Sequence, residues 1–205
     1  MKTIINKQTS VSYYKGENLL LTPSGASNGE WFDKDCTTAN CDLVTCQDVP
    51  TDWAGGHYTY ADGVWTRTAE GVAAHAAQLA TASAALVKQI DEDTDALYAA
   101  VIGNRAAEYT AAETEATVFA DGGYTADPAP ASVASWATAK GWTAQAAADD
   151  IIATATAWRT AQAAIRAARL LRKEQARTAA DLAALATTRA QWAGFVAAIR
   201  EQLGV

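Results

Sequence analysis

A chain of 205 residues and 21.5 kDa with a net charge of −7 and a pI near 4.8 has room for one or two domains with a real core. Its charge excludes a general nucleic-acid binder, whose surface must be cationic to hold phosphate. No run reaches the ~18 apolar residues a membrane span needs, and Met1–Asn6 lacks an apolar signal core, so neither a span nor export by the usual signal is expected.

Half of the residues are hydrophobic, but alanine supplies much of that total and buries little area. The core therefore falls to seven Trp, seven Tyr, three Phe and scattered Leu, Ile and Val. Residues 1–66 read as a small β-rich module. Thr3–Ile5, Val11–Tyr14, Leu19–Thr22 and Leu43–Cys46 are short β-favouring runs, whereas Pro23–Gly29 is loop by composition. His57–Tyr60 and Val64–Arg67 flank Ala61-Asp62-Gly63 and form the clearest hairpin signal, with aromatic residues on alternating positions.

At Thr68, a candidate N-cap, the period changes from two to helical. Residues 67–120 form a helical arm with Val72, Leu79 and Leu86 seven apart. The acidic run Asp91-Glu92-Asp93-Thr94-Asp95 predicts a helix restart, because carboxylates favour a first turn, and the restarted helix then runs through Leu97, Val101 and Tyr109 towards Phe119. Residues 121–131, rich in Gly and Pro, link this arm to residues 132–205. There, Ser132 is expected to cap a short helix stopped by Gly141, and Thr143 to cap the next.

From Trp142 to Leu203 about a third of the residues are alanine, with no proline and one interior glycine, Gly194. Propensity makes this one long helix or two stacked ones. Unbroken, it would run about 90 Å, against a radius of gyration near 17 Å for a compact chain of this length. Such a rod must fold back or find other copies. A heptad register places Leu171, Leu185, Trp192 and Ile199 at one seam position and Leu182, Val196 and Leu203 at the other, an oligomerisation seam. An earlier register, Ile151, Trp158 and Ile165, does not join it smoothly, which predicts a stutter or bend between Ile165 and Leu171, with Thr178–Asp181 an alternative cap. Charge is segregated: residues 66–157 hold twelve Asp/Glu against four Lys/Arg, and residues 158–200 eight Lys/Arg against two Asp/Glu. The two regions are expected to pack together, within a chain or between chains.

Candidate sites are few. Cys36, Cys41 and Cys46 lack the short C-x2-C knuckle of a zinc site and are read as reduced structural thiols, with a disulfide or a metal as alternatives. Trp53, Tyr58, Tyr60 and Trp65 are possible docking or ligand aromatics, although a small module needs such rings for its own core. Neither histidine, His57 or His75, lies in a nucleophile motif, and there is no Gly-rich phosphate loop. No cofactor, no metal and no enzymatic reaction are expected.

Val49–Trp65 resembles a hairpin segment common in tail and tail-fibre-associated structural proteins of tailed bacteriophages. Ile90–Ala106, Trp136–Gln145 and Ala147–Ile151 are similar to the helical part of such proteins. The resemblance implies a virion tail component, made in the host cytoplasm, with other tail or baseplate proteins as partners and a homotrimer as the first expectation. The alternatives are a non-virion tail-fibre assembly chaperone and a receptor- or glycan-binding module. The fold class expected is α+β: a small β-rich amino-terminal module followed by long alanine-rich helices in a helical bundle or coiled coil, assembled between copies.

Overall fold

The computed structural model describes residues 1–205 throughout. It is α+β, with eight strands followed by five helices. The chain divides into two compact units, Met1–Thr81 and Ala82–Val205. The boundary falls inside a helix, later than the change of period at Thr68, because the first turns of that helix belong with the strands.

In the amino-terminal unit, β1 (Lys2–Asn6), β2 (Val11–Gly16), β6 (Cys41–Thr45), β7 (Tyr58–Ala61) and β8 (Val64–Arg67) form an antiparallel sheet in the order β6-β1-β2-β7-β8. A second sheet holds β3 (Leu20–Thr22), β4 (Gly25–Ser27) and β5 (Phe32–Asp33). The Pro23–Gly29 stretch is thus not all loop. Pro23-Ser24 turns the chain so that Thr22 pairs with Gly25 and Leu20 with Ser27, and the fully buried Ala26 joins Ile4, Leu19, Cys36 and Cys41 in the core. Sheet pairing overrides the loop-like composition there. The β7–β8 hairpin forms as expected, Ala61 opposite Val64, and both turn residues, Asp62 and Gly63, have positive φ, the combination that matches strand twist.

Helix α1 spans Ala69–Val101 without interruption. Thr68 caps it, its Oγ1 accepting from the Gly71 N–H at 3.0 Å. The expected restart at Asp91 does not occur. Instead the chain breaks at Ile102–Arg105, where Gly103 has φ +52°, and the helix expected to run on to Phe119 is a separate α2 (Ala106–Asp121).

The carboxy-terminal unit is built around α4 (Ala144–Arg177). Its first half packs with α2 and α3 (Ala131–Lys140) through Ala116, Phe119, Val133, Ala137, Ala147 and Ala148. Its second half packs with α5 (Leu182–Leu203) and the end of α1 through Leu97, Ile165 and Ile199. Alanines let these helices approach closely, while the few large side chains fill the gaps. Gly141 stops α3 in the left-handed conformation and Thr143 caps α4, as expected. Ser132 does not cap α3: its backbone N–H donates to Glu115 of α2, so the carboxylate caps from a neighbouring helix. No break falls between Ile165 and Leu171. The chain reverses at Thr178–Asp181, with Asp181 capping α5. The alanine-rich third is therefore two helices packed on each other, not a rod.

Candidate functional site

The hairpin β7–β8, the loop before it and the first three turns of α1 line a half-open recess of about 150 Å³. Helical spacing brings Gly71, Ala74, His75 and Gln78 of α1 onto one face. Gly71 is what allows this face to reach the loop, because a Cβ there would lie 2.1 Å from the His57 carbonyl oxygen. Thr68 ties the same junction, donating its hydroxyl to the Gly56 carbonyl and its N–H to that of His57.

On the wall of the recess, Asp52 accepts the Tyr58 hydroxyl at 2.6 Å on one carboxylate oxygen and Arg67 Nη2 at 2.5 Å on the other. His75 Nδ1 stands 3.5 Å from the second oxygen and 3.4 Å from Arg67 Nη2. The Tyr58 hydroxyl and the Arg67 guanidinium hold the Asp52 carboxyl below its ordinary range. Burial, then the hydrogen bond to Asp52, pushes Tyr58 up. Arg67 also stacks over the Tyr58 ring at 5.6 Å. The other histidine, His57, lines the same recess.

Sequence reasoning singled out Tyr58 but missed Asp52, Arg67, His75 and Gln78. The signal available was the Gly71, His75, Gln78 stripe beginning one turn after the Thr68 cap. The aromatics Trp53, Tyr58, Tyr60 and Trp65 are largely committed to the unit itself. Tyr58 and Tyr60 are buried, and Trp65 packs on both and donates Nε1 to the Gln47 carbonyl. Trp53 donates to Ser12 Oγ at 3.1 Å, and Ser12 in turn pairs with the buried Thr3 hydroxyl. Lys15 lies over the Trp53 ring.

Compared with protein-family models, curated proteins and solved structures, the chain matches none.

Cys36, Cys41 and Cys46 are free and buried. Burial, with Cys41 as its hydrogen-bond partner, pushes the Cys36 thiol up to about 12, and burial raises Cys46. Tyr14, stacked on Trp31 and bonded to Asp33, is pushed up to about 12 by burial first and Asp33 second. No three His, Cys, Asp or Glu side chains stand close enough together to hold a metal ion, and no helix is long and apolar enough to cross a membrane.

In the helical unit acidic residues of α1 and α2 supply partners for α4 and α5 within one chain. Asp91 receives Arg169 Nε at 2.7 Å and Lys173 Nζ at 2.5 Å, Asp93 receives the Trp192 indole N–H, and Glu113 pairs with Arg159. Of the seam residues, Leu185, Trp192 and Ile199 are buried in the chain's own fold, and Leu182, Val196 and Leu203 are half-buried. Val196 and Leu203 pack against Leu97, Ile165 and Ile199. Leu171 alone stays largely exposed, at 52%, beside Leu170 at 55%.

Proposed function

We propose that this chain is a structural component of a bacteriophage virion tail: a tail-fibre, baseplate or fibre-attachment protein. Its β-rich unit docks on a neighbouring tail or baseplate protein, and its helical unit assembles with other copies, three being the first expectation. The resemblance of Val49–Trp65, Ile90–Ala106, Trp136–Gln145 and Ala147–Ile151 to tail-associated proteins supports the origin. The observation that carries self-assembly is the adjacent pair Leu170 and Leu171, left uncovered on α4 after α5 has folded back. Most of the heptad seam is used inside the chain, so contact between copies moves from α5 to this outer face of α4. A threefold ring needs a head-to-tail contact, so in a trimer this pair would pack on a different patch of the next copy.

Mass spectrometry of purified phage particles tests the reading. The chain should be present, in a copy number divisible by three. Presence in the lysate with absence from finished particles would reject it in favour of a non-virion assembly chaperone.

A further inference from the structure

We propose that the surface receiving Leu170 and Leu171 is the outer face of α2 on a second copy of this chain, an assignment that rests on the self-assembly reading above and names its partner patch. Both faces belong to the helical unit, and its packing leaves both open. On α2, Ala107, Ala111, Thr114 and Val118 recur at spacings of four, three and four, so they share one side of the helix. All four are exposed, and Val118, at 67%, is more exposed than either leucine. One turn before it, Ala106, Ala107, Thr110, Ala111, Thr114 and Glu115 line a shallow, open depression. On α4, Ala163, Ala167 and Leu170 repeat the spacing of four and three and are likewise exposed, with Leu171 beside them. A groove floored by small side chains on one helix is the shape that admits a ridge bearing large ones on another.

Charge selects the pairing. Helix α2 carries four carboxylates, Glu108, Glu113, Glu115 and Asp121, and no Lys or Arg, whereas α4 from Ala161 to Arg177 carries five Lys/Arg against one Glu. Part of each set is used inside the chain: Glu113 holds Arg159, and Asp91 takes Arg169 and Lys173. Glu108 and Asp121 on α2 and Arg166 on α4 are exposed and form no ion pair within the chain, and Arg177 reaches only Glu174, at 3.6 Å. A contact of α4 on α4 brings the same cationic excess to both sides. A contact of α4 on α2 brings opposite signs together, which favours that docking over the alternative, and it is of the head-to-tail kind that a threefold ring requires.

Charge reversal on the full-length chain tests the contact, read as mass by light scattering on a sizing column at micromolar concentration and low salt. Arg166→Glu with Arg177→Glu sets carboxylates on both sides of the contact and should convert the wild-type oligomer to monomer. Glu108→Lys with Asp121→Lys sets cations on both sides and should do the same. All four changes in one chain restore opposite signs and should return the wild-type mass, a rescue that damage to the fold does not produce. Val118→Asp leaves the flanking charges in place and should also lose the oligomer, while Val72→Asp, an equally solvent-facing change on α1, should keep it. An oligomeric wild type whose mass is unmoved by the α2 changes, or a fourfold variant that stays monomeric, would overturn this contact and leave self-assembly standing. A monomeric wild type would reject self-assembly itself, and this contact with it.

Discussion

Trp192 of α5 donates its indole N–H to Asp93 of α1 at 2.8 Å while its own surface is closed to water. The residue thus combines the largest apolar burial in the helical unit with a charge-assisted hydrogen bond. Trp192→Phe should keep most of the packing and cost about 1.5–3 kcal/mol for the lost bond. Trp192→Ala should cost about 3–5 kcal/mol. Urea unfolding of both variants checks this; a Trp192→Phe variant as stable as the wild type would mean that the hydrogen bond contributes nothing.

Gly71 and Gly194 both sit inside helices, yet alanine should act with opposite signs at the two. Helix propensity alone favours alanine over glycine by about 1 kcal/mol. At Gly194 nothing lies within 4 Å of an added Cβ, so Gly194→Ala should stabilise. At Gly71 the His57 carbonyl stands in the way, and the displacement should cost about 1–3 kcal/mol, outweighing the propensity gain. Thermal melts of the pair decide it: a stabilised Gly71→Ala would show that α1 does not press on the loop.

Acid should loosen both units. Asp33, Asp52 and Asp91 are held below the ordinary carboxylate range, chiefly by the Asp35 backbone N–H, the Tyr58 hydroxyl and the Lys173 ammonium respectively. A carboxylate whose folded value is depressed contributes stability above its unfolded value, near 4, and loses it as pH falls through the folded value. Unfolding free energy measured from about pH 6 downward should therefore begin to drop near pH 4. Asp91→Asn should flatten part of that slope, and an unchanged slope would count against the Asp91 pairs. The Asp52 and Asp91 side chains are about a third exposed, so the effect is reduced by solvent screening.

The buried thiols should resist chemistry until the amino-terminal unit opens. Burial favours the neutral thiol of Cys36 and Cys46, and the thiolate is the reactive form. Iodoacetamide at about pH 8 should label no cysteine in the native protein and all three in guanidinium. The raised values of Cys36 and Tyr14, both about 12, contribute stability that is whole below the unfolded thiol and phenol values and fades as pH rises through the folded ones. Alkaline unfolding of the β-rich unit between roughly pH 9 and 12 should follow.

Leu170→Glu with Leu171→Glu is the direct test of assembly through α4. Both side chains are more than half exposed, so the fold should survive within about 0.5 kcal/mol. The proposed assembly predicts, by light scattering on a sizing column, an oligomer for the wild type and a monomer for the double variant. A mass unchanged by the double variant would place the contact elsewhere. The same experiment on Leu185 or Ile199 would be uninformative, since both are core residues of the single chain.

Local signals wrote much of this fold directly into the sequence. The Asp62-Gly63 turn, the Thr68 and Thr143 caps, the Gly141 stop and the change from period two to helical period at Thr68 depend on neighbours a few residues away, and composition alone places them. Long-range pairing decided the rest. Asp91 read as the start of a helix because carboxylates suit first turns, but no breaker precedes Gly103, so the helix runs through it, and its partners Arg169 and Lys173 lie 78 and 82 residues on, beyond the reach of any local pattern. A heptad seam states which face of α5 is buried and leaves open what buries it; the reversal at Thr178–Asp181 gives the face to Leu97 and Ile165. The recess at Asp52 was equally hidden, because it exists only where Gly71 lets a helix touch a hairpin loop. Periodicity fixes the faces of each element, and only three-dimensional packing chooses which faces meet.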